Sequence, residues 1–446
     1  MLLSIHMNDY KSYFKGKRVT VLGLGLLGKR LHDIHFLSKM GAEVTVTDLK
    51  TAKELAPSIQ ALKGYKNITF SLGEHLLTDF ENRDFILKGQ GTPLDSLYIA
   101  HARKRGIPIE MDESLFLKLA PKNIKVIGVT GTRGKTTVTM LIYHILKKAG
   151  VRVHLGGNIL GTAALPLLAK VRSGDTVVFE LSSWQLQGFG DAKISPHIAV
   201  FTNFMKDHLN YYGGSMTKYF KDKSFIYSSQ KKGDHLIIGE SLKKKIKNVP
   251  SKVTVATGKR VPADWETYLR GAHNAANIAC AVEACRAYGI SEENIKKGLA
   301  TFKGVPGRLE YVRVYKDIAF YNDTCATTPE ALLAGVTALS NDDNIVLVAG
   351  GTDKGLDVSV LTKALPKYIS RLVLLPGTGT DKLSFKTKDS FHVVFAKNLK
   401  DAVTQAIKMA CPGDTILFSP GFASFGMFKN EYDRGEQFMK IVKGLK

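Results

Sequence analysis

Three times along the chain, short apolar runs stop at glycine and give way to a helical pattern. In RVTVLGLGLLGKRLHDIHFLSKMGAEVTVTDL, Val19, Val21 and Leu22 lead into Gly23, Gly25 and Gly28, a helical stretch follows, and a second run, Val44 to Thr47, ends at Asp48. Glycines at such a turn let backbone N–H groups at a helix N-terminus face a pyrophosphate, and an acid at the end of the second strand can reach a ribose. Taken alone, this unit predicts a nicotinamide dinucleotide, although its donors suit any diphosphate.

The second unit begins near Ile124, where KVIGVT runs into GTRGKTT and then into a helix with Val138, Leu141, Ile142, Ile145 and Leu146 on one face and Gly150 at its end. Gly131 and Gly134 let the backbone wrap anionic oxygens. Lys135 is a cation within reach of terminal phosphates, and the Thr136 hydroxyl is a Mg²⁺ ligand. The spacing departs from the usual nucleoside-triphosphatase loop, since Gly128 stands six positions before Gly134. Downstream, DTVVFELSSWQLQ ends a β-rich run at Glu180, followed by Ser182 and Ser183. IAVFTNFMKDHLNYY sets Asn203, Asp207 and His208 just past another apolar run. Carboxylates and imidazoles at strand ends sit where open α/β sheets bind ligands, and together with the loop they suggest a Mg²⁺ site.

In the third unit NIVLVAGG, RLVLLPG, HVVFA and DTILFSPG alternate with helical patterns such as LKDAVTQAIKMA. This is the signature of a parallel sheet covered on both sides. The fold class expected is α/β, with three consecutive domains, each built on a mainly parallel sheet, spanning 1–120, 121–305 and 306–446.

Composition narrows the setting. The 446 residues are 44% apolar and 23% charged, as in a globular chain, and the length favours about three domains. Cys280, Cys285, Cys325 and Cys411 lack paired metal spacing and disulfide density. No secretory h-region opens the chain and no stretch reaches the roughly 18 apolar residues of a membrane span, so the protein is expected in the cytoplasm, away from membranes. The formal net charge of +23 comes from lysines and arginines spread along the whole chain, which describes solvated faces rather than a nucleic-acid arm. Such a field also steers a polyanionic substrate.

The stretches GLGLLG, TGTRGKTT, GGN at Gly156 to Asn158, ELSSWQL, DHLNYY, GAHNAANIACA, GVPGRLEYV, NDTCATTPEA, AGGTDKG and SPGFASFGMFKNEYDRG run in the order of the Mur ligases of peptidoglycan synthesis, which the chain resembles over nearly its whole length. The family's loop is TGTxGK[ST], which accounts for the spacing. The resemblance implies a Rossmann-like first domain for a UDP substrate, a P-loop ATPase-like central domain and a Rossmann-like third domain for the amino acid.

By that resemblance Gly131, Thr132, Gly134, Lys135, Thr136, Thr137, Asn277, Arg308 and Asp323 contact ATP. Thr136, Glu180, His208 and Lys223, the last as a carbamate, hold Mg²⁺, and Lys135, Lys223, His208 and Glu180 form the catalytic set. Gly23, Gly25, Leu26, Leu27, Gly28, Asp48, Gly91, Asn158, Ser182 and Gln185 face the UDP substrate, and Cys325, Thr327, Lys354 and Ser424 face the amino acid. The reaction implied is ATP-dependent amide ligation through an acyl phosphate. It joins glutamate, D by overall resemblance and L as the alternative, to UDP-N-acetylmuramoyl-L-alanine, and the chain is expected to act as a monomer. A nicotinamide oxidoreductase is the reading of another class, resting on GLGLLG and Asp48.

The chain also departs from the family pattern. Arg133 stands where asparagine is common and Leu27 where a hydroxyl residue is. Leu49 and Lys50 replace a Thr-Arg pair that contacts uracil. Cys325 occupies the lysine position of the family motif NDSKATN, and Glu431 follows Asn430 where an aromatic is common. Any cation for the amino acid's carboxylate is then sought at Lys354 or Lys429.

Overall fold

Five short strands pair side by side in the first part of the chain: β1 (Arg18–Leu22), β2 (Glu43–Asp48), β3 (Ile68–Leu72), β4 (Phe85–Lys88) and β5 (Ile109–Glu110). The structure, a computed structural model, describes residues 10–25, 28–159, 161–209, 211–340, 344–353, 355–385 and 391–445. In this first sheet the order is β3-β2-β1-β4-β5 and every ladder is parallel. The chain reverses its direction of travel across the sheet beside β1, which puts the turn at Gly23–Gly28 at a topological switch point.

A second sheet follows from β6 (Lys125–Thr130), β7 (Val153–Gly157), β8 (Thr176–Glu180), β9 (Ile198–Phe201), β10 (His235–Gly239) and β11 (Lys252–Ala256). Its order is β11-β10-β9-β6-β8-β7, again all parallel. β6 lies between β8 and β9, so the loops leaving the carboxyl ends of all three strands emerge side by side. The helix Lys135–Lys148 buries Val138, Leu141, Ile142, Ile145 and Leu146, the face its spacing predicts. Each such side chain contributes about 1.5–3 kcal/mol on leaving water.

The third sheet comprises β12 (Glu310–Tyr315), β13 (Ile318–Asn322), β14 (Ile345–Ala349), β15 (Arg371–Leu374), β16 (His392–Phe395) and β17 (Thr415–Phe418), in the order β12-β13-β17-β14-β15-β16. Only its edge pair is antiparallel: β12 and β13 form a hairpin whose turn residues Lys316 and Asp317 have φ of 52° and 60°. Positive φ at both turn positions matches the twist of the flanking strands. That hairpin is absent from the apolar runs read above; its outer strand β12 is only partly buried and mixes charged with apolar residues.

The chain divides into two compact units. One comprises the residues through Pro262 together with Ala276–Gly298 and holds the first two sheets. The other comprises Ala263–Ala275 with Leu299 onward and holds the third. In the first unit Val19, Val44, Phe116, Val126 and Phe179 belong to one continuous core. In the second, Leu347 and Leu417 pack on one face of the sheet and Val346, Val348 and Ile416 on the other. Burial on both faces is why these strands read as unbroken apolar runs. No helix among the described residues is long and apolar enough to cross a membrane.

Candidate active site

The loop after β6 is shaped by its neighbours. Gly131 has φ 152° and a Cβ there would collide with the Thr202 hydroxyl; Gly134 has φ 80° and would collide with the Asn277 side-chain oxygen. Both positions therefore require glycine on conformational and steric grounds. The segment after β9 braces the loop: Thr132 N donates to Asn203 O at 3.0 Å, Arg133 N to Asn203 Oδ1 at 2.9 Å and Thr202 Oγ1 to Arg133 O at 2.6 Å. Arg133 also pairs with Asp207 at 2.5 Å. Asn203 and Asp207 are thus engaged in holding the loop. Gly134 caps the helix Lys135–Lys148. Thr136 and Thr137 lie in its first turn, whose N–H groups have no partner within the helix and suit an anion.

Two lysines converge on this loop. Lys135 Nζ donates to the carbonyls of Gly131 (3.2 Å) and Thr132 (3.1 Å). Lys223, from the helix Met216–Ser224, is 1% exposed, donates to Gly131 O at 2.7 Å and lies 4.9 Å from the centre of the Tyr219 ring. Burial holds its amine well below the usual lysine range and the Lys135 cation adds to this, while Asp207 and Glu180 oppose it. By composition Lys223 reads as a surface charge; only the family motif singles it out.

Glu180, at the carboxyl end of β8, is buried. Its Oε1 accepts from Asn158 Nδ2 at 3.2 Å, and Asn158 N donates to Glu180 O at 2.8 Å, whereas Oε2 is buried with no hydrogen-bond partner. A buried carboxylate oxygen without a donor is costly unless a cation satisfies it. The His208 ring lies tilted 4.8 Å from Trp184 and edge-on 5.9 Å from Tyr219. Burial lowers its pKa, opposed by Asp207 and reinforced by Lys223, Lys135 and Arg133, which favours the neutral imidazole that ligates metals. Among the described residues no group of three or more His, Cys, Asp or Glu side chains gathers to hold a metal. The Thr136, Glu180, His208 and Lys223 set contains only two residues of those types.

Around the first sheet, Asp48 faces the glycine turn, but its carboxylate is already engaged. Oδ2 accepts from Leu24 N (2.8 Å) and Gly25 N (3.2 Å), and Oδ1 from Lys50 N (2.9 Å). Gly23 N donates to Thr47 O at 2.8 Å, and Gly28 caps the following helix. Leu26 and Leu27 lie outside the described residues. Gly91 is exposed, as is Leu49 at 64%. Ser182 and Gln185 form a reciprocal capping box on the helix Ser183–Ala192, and Gln185 Nε2 also donates to Glu113. Both side chains therefore also fix the start of that helix. The sequence reading passed over Lys88, a fully buried lysine at the end of β4 whose Nζ donates to Gly89 O and whose pKa burial lowers to about 8.

In the second unit Asp323 is buried, accepts from Leu309 N at 3.0 Å and from Ser419 Oγ at 2.7 Å, and is raised to about 7 by burial. Arg308 and Lys429 are exposed, Cys325 and Thr327 half-buried and Ser424 buried. Lys354 lies outside the described residues. Gly421 N donates to Ala326 O at 2.8 Å, and Thr352 and Ala423 exchange backbone hydrogen bonds, so the segments bearing Thr327 and Ser424 adjoin.

A strand–glycine loop–helix cradle flanked by two lysines and a buried carboxylate defines an α/β enzyme built to handle phosphates. The comparisons agree. The Mur ligase middle domain matches residues 129–268 and the Mur ligase glutamate ligase domain matches 307–422. The chain is 36% identical to the UDP-N-acetylmuramoylalanine–D-glutamate ligase of Roseiflexus sp. (strain RS-1), covering 96% of this chain and 99% of that one. It is 35% identical to the enzyme of the same name from Borreliella burgdorferi (strain ZS7), covering 97% and 98%. It shares its fold with the MurF ligase of Thermotoga maritima, solved in complex with ADP, at a TM-score of 0.57 and 17% identity over 97% of this chain and 96% of that one. MurC of the same organism gives a TM-score of 0.55 and 18% identity over 96% and 100%.

The chain belongs to the Mur ligase family. It is a ligase, and the nicotinamide reading of the first glycine turn falls away with that assignment.

Proposed function

We propose that this protein joins D-glutamate to UDP-N-acetylmuramoyl-L-alanine at the expense of ATP. The observation that carries the reading is the pairing of the Gly131–Lys135 loop with the buried, half-satisfied carboxylate of Glu180, in a chain related end to end to enzymes of that name. The substrate carboxylate attacks the γ-phosphorus of ATP; the bond to the β-phosphate oxygen breaks, and ADP and an acyl phosphate result. The glutamate amine then attacks the acyl carbon, loses a proton and expels inorganic phosphate. Lys135 and the first-turn N–H groups of its helix stabilise charge on the transferred phosphoryl group.

Magnesium fits this site because Glu180 and Thr136 offer the oxygen ligands a hard cation prefers and Glu180 Oε2 has no other partner. Thr136, Glu180, His208 and Lys223 as its carbamate would hold it, and it would neutralise phosphate charge. Asn277 lies beside Gly134, and with Arg308 and Asp323 we assign it to ATP. Gly23, Gly25, Gly28, Gly91 and Asn158 we assign to the UDP substrate, with Asp48 shaping the turn, and Cys325, Thr327 and Ser424 to the amino acid. The domain boundaries 1–120, 121–305 and 306–446 belong to the same reading, as do cytoplasmic location and action as a monomer.

The test is phosphate release from the purified protein with ATP, UDP-N-acetylmuramoyl-L-alanine and each enantiomer of glutamate. Release that needs all three substrates and favours D-glutamate is expected. Release with L-glutamate alone would replace the stereochemical assignment, and no release with either would overturn the reading.

A further inference from the structure

The second unit contains a buried cation to which no role has been given. Arg434, one turn into the helix Glu431–Lys443, is 1% exposed. Its Nε donates to Thr324 Oγ1 (3.1 Å), its Nη2 to Thr324 O (2.8 Å) and its Nη1 to Phe422 O (3.2 Å). Among the described residues it has no carboxylate within ion-pair distance. A buried guanidinium is expensive to keep: burial pulls its pKa down to about 10, and the charge of Glu431 at the start of the same helix opposes this only in part. An internal hydrogen-bond bridge between two loops could be built from a neutral amide at lower cost. The charge therefore calls for an explanation of its own.

Its position supplies one. Thr324 opens the segment that carries Cys325 and Thr327, and Phe422 opens the turn that carries Ser424, so one side chain ties together both segments assigned to the amino acid. The tie has little slack. A Cβ at Gly435 would stand 2.6 Å from Thr324 Cγ2, and one at Gly307 would stand 2.7 Å from Thr324 Cγ2 and 3.1 Å from Cys325 Sγ. Position 325, where the family motif has lysine, carries a thiol that burial keeps protonated and uncharged. Of the described cations considered for this site, Arg308 and Lys429 are exposed and Arg434 is enclosed, and an enclosed charge acts through a lower dielectric.

We propose that Arg434 is the positioning residue of the amino-acid site: it holds Thr324–Thr328 against Phe422–Ser424 and supplies the positive charge, missing at Cys325, that selects an acidic amino acid. The proposal rests on the reading of this chain as a glutamate ligase. The test compares kcat and KM for D-glutamate and for the uncharged D-glutamine in the full-length protein and three variants, with KM for ATP as the control.

Arg434→Met is expected to raise KM for D-glutamate and to lower the glutamate-to-glutamine ratio of kcat/KM by about tenfold or more, with KM for ATP within about twofold of wild type. Arg434→Lys keeps the charge but cannot span both carbonyls; it should raise KM and retain the ratio. Gly435→Ala presses on Thr324 without touching the charge and should do the same. An unchanged ratio in Arg434→Met overturns the assignment. If that variant does not fold, loss of the ratio in Arg434→Lys, or a wild-type KM in both Arg434→Lys and Gly435→Ala, overturns it instead. A wild-type protein that ligates only neutral amino acids sinks the glutamate reading itself, which the first assay of the series reveals separately.

Discussion

The two glycine turns of the first unit have the same local plan, a strand, a turn and a helix, yet they are loaded with opposite charge. At Gly23–Gly28 an acid faces the backbone: the Asp48 carboxylate takes the N–H groups of Leu24 and Gly25. At Gly131–Gly134 cations face it: Lys135 and Lys223 both donate to the Gly131 carbonyl, while Asn203 and Thr202 brace the backbone from outside. The first turn is held by a charge that takes the N–H groups of Leu24 and Gly25, and the second collects positive charge on its Gly131 carbonyl. A glycine fingerprint therefore reports that a backbone can approach an anion. Which anion, and with what chemistry, depends on the side chains that the rest of the fold delivers.

The comparison can be broken most severely at Lys135. Lys135→Ala should lower the rate of ATP-dependent ligation by about a thousandfold while the far-ultraviolet circular dichroism stays unchanged, because the lysine contributes charge at the phosphate and little packing. Near-normal turnover would mean that the second turn is no more catalytic than the first. Lys223→Ala comes next, with a loss of about a hundredfold that acetate partly restores, since a carboxylate can stand in for the carbamate oxygens. Indifference both to the mutation and to carbon dioxide depletion would return Lys223 to a packing role.

Asp48→Ala sharpens the contrast from the other side. It frees the Leu24 and Gly25 N–H groups and loosens the turn, and is expected to raise KM for the UDP substrate by about tenfold, with KM for ATP unaltered. A rise in both constants would show that the two turns are not independent.

The smallest effect carries the contrast into the second unit, where buried Asp323 accepts from Leu309 N and Ser419 Oγ much as Asp48 accepts from its turn. Its folded pKa is raised to about 7, above the unfolded value. The folded state therefore holds a proton that the unfolded chain has released, and stability falls as pH climbs from the ordinary carboxylate range to about 7. Melting temperatures of the wild type and Asp323→Asn should separate across that interval, with the wild type losing ground as pH rises. Parallel curves would deny Asp323 its raised pKa.

Much of this was legible in advance. The three mainly parallel sheets and the buried face of the helix Lys135–Lys148 follow from apolar spacing, since burial on a helix or strand repeats at a period the sequence displays. The phosphate loop was legible because Gly131, Gly134 and Lys135 are neighbours in the chain. Other assignments needed distance. The place of Asp48 after β2 fits a fingerprint, but only the fold shows its carboxylate accepting from Leu24 and Gly25 in the turn. That Ser182 and Gln185 also form a capping box on the following helix needed the fold. Lys88, fully buried at the end of β4, left no mark in the sequence at all.

The sequence by itself determined which segments become strands and helices, where the backbone turns through glycine, and, through its ordered motifs, membership of the Mur ligase family. Only the tertiary structure decided that Lys223 is buried against Gly131, that Asn203 and Thr202 brace the loop from β9, and that Arg434 joins Thr324 to Phe422. The physical reason is that periodicity and local propensity act over a few residues. Charge, desolvation and hydrogen-bond partnership depend on which strand lies beside which, and that order is set by packing the whole sheet.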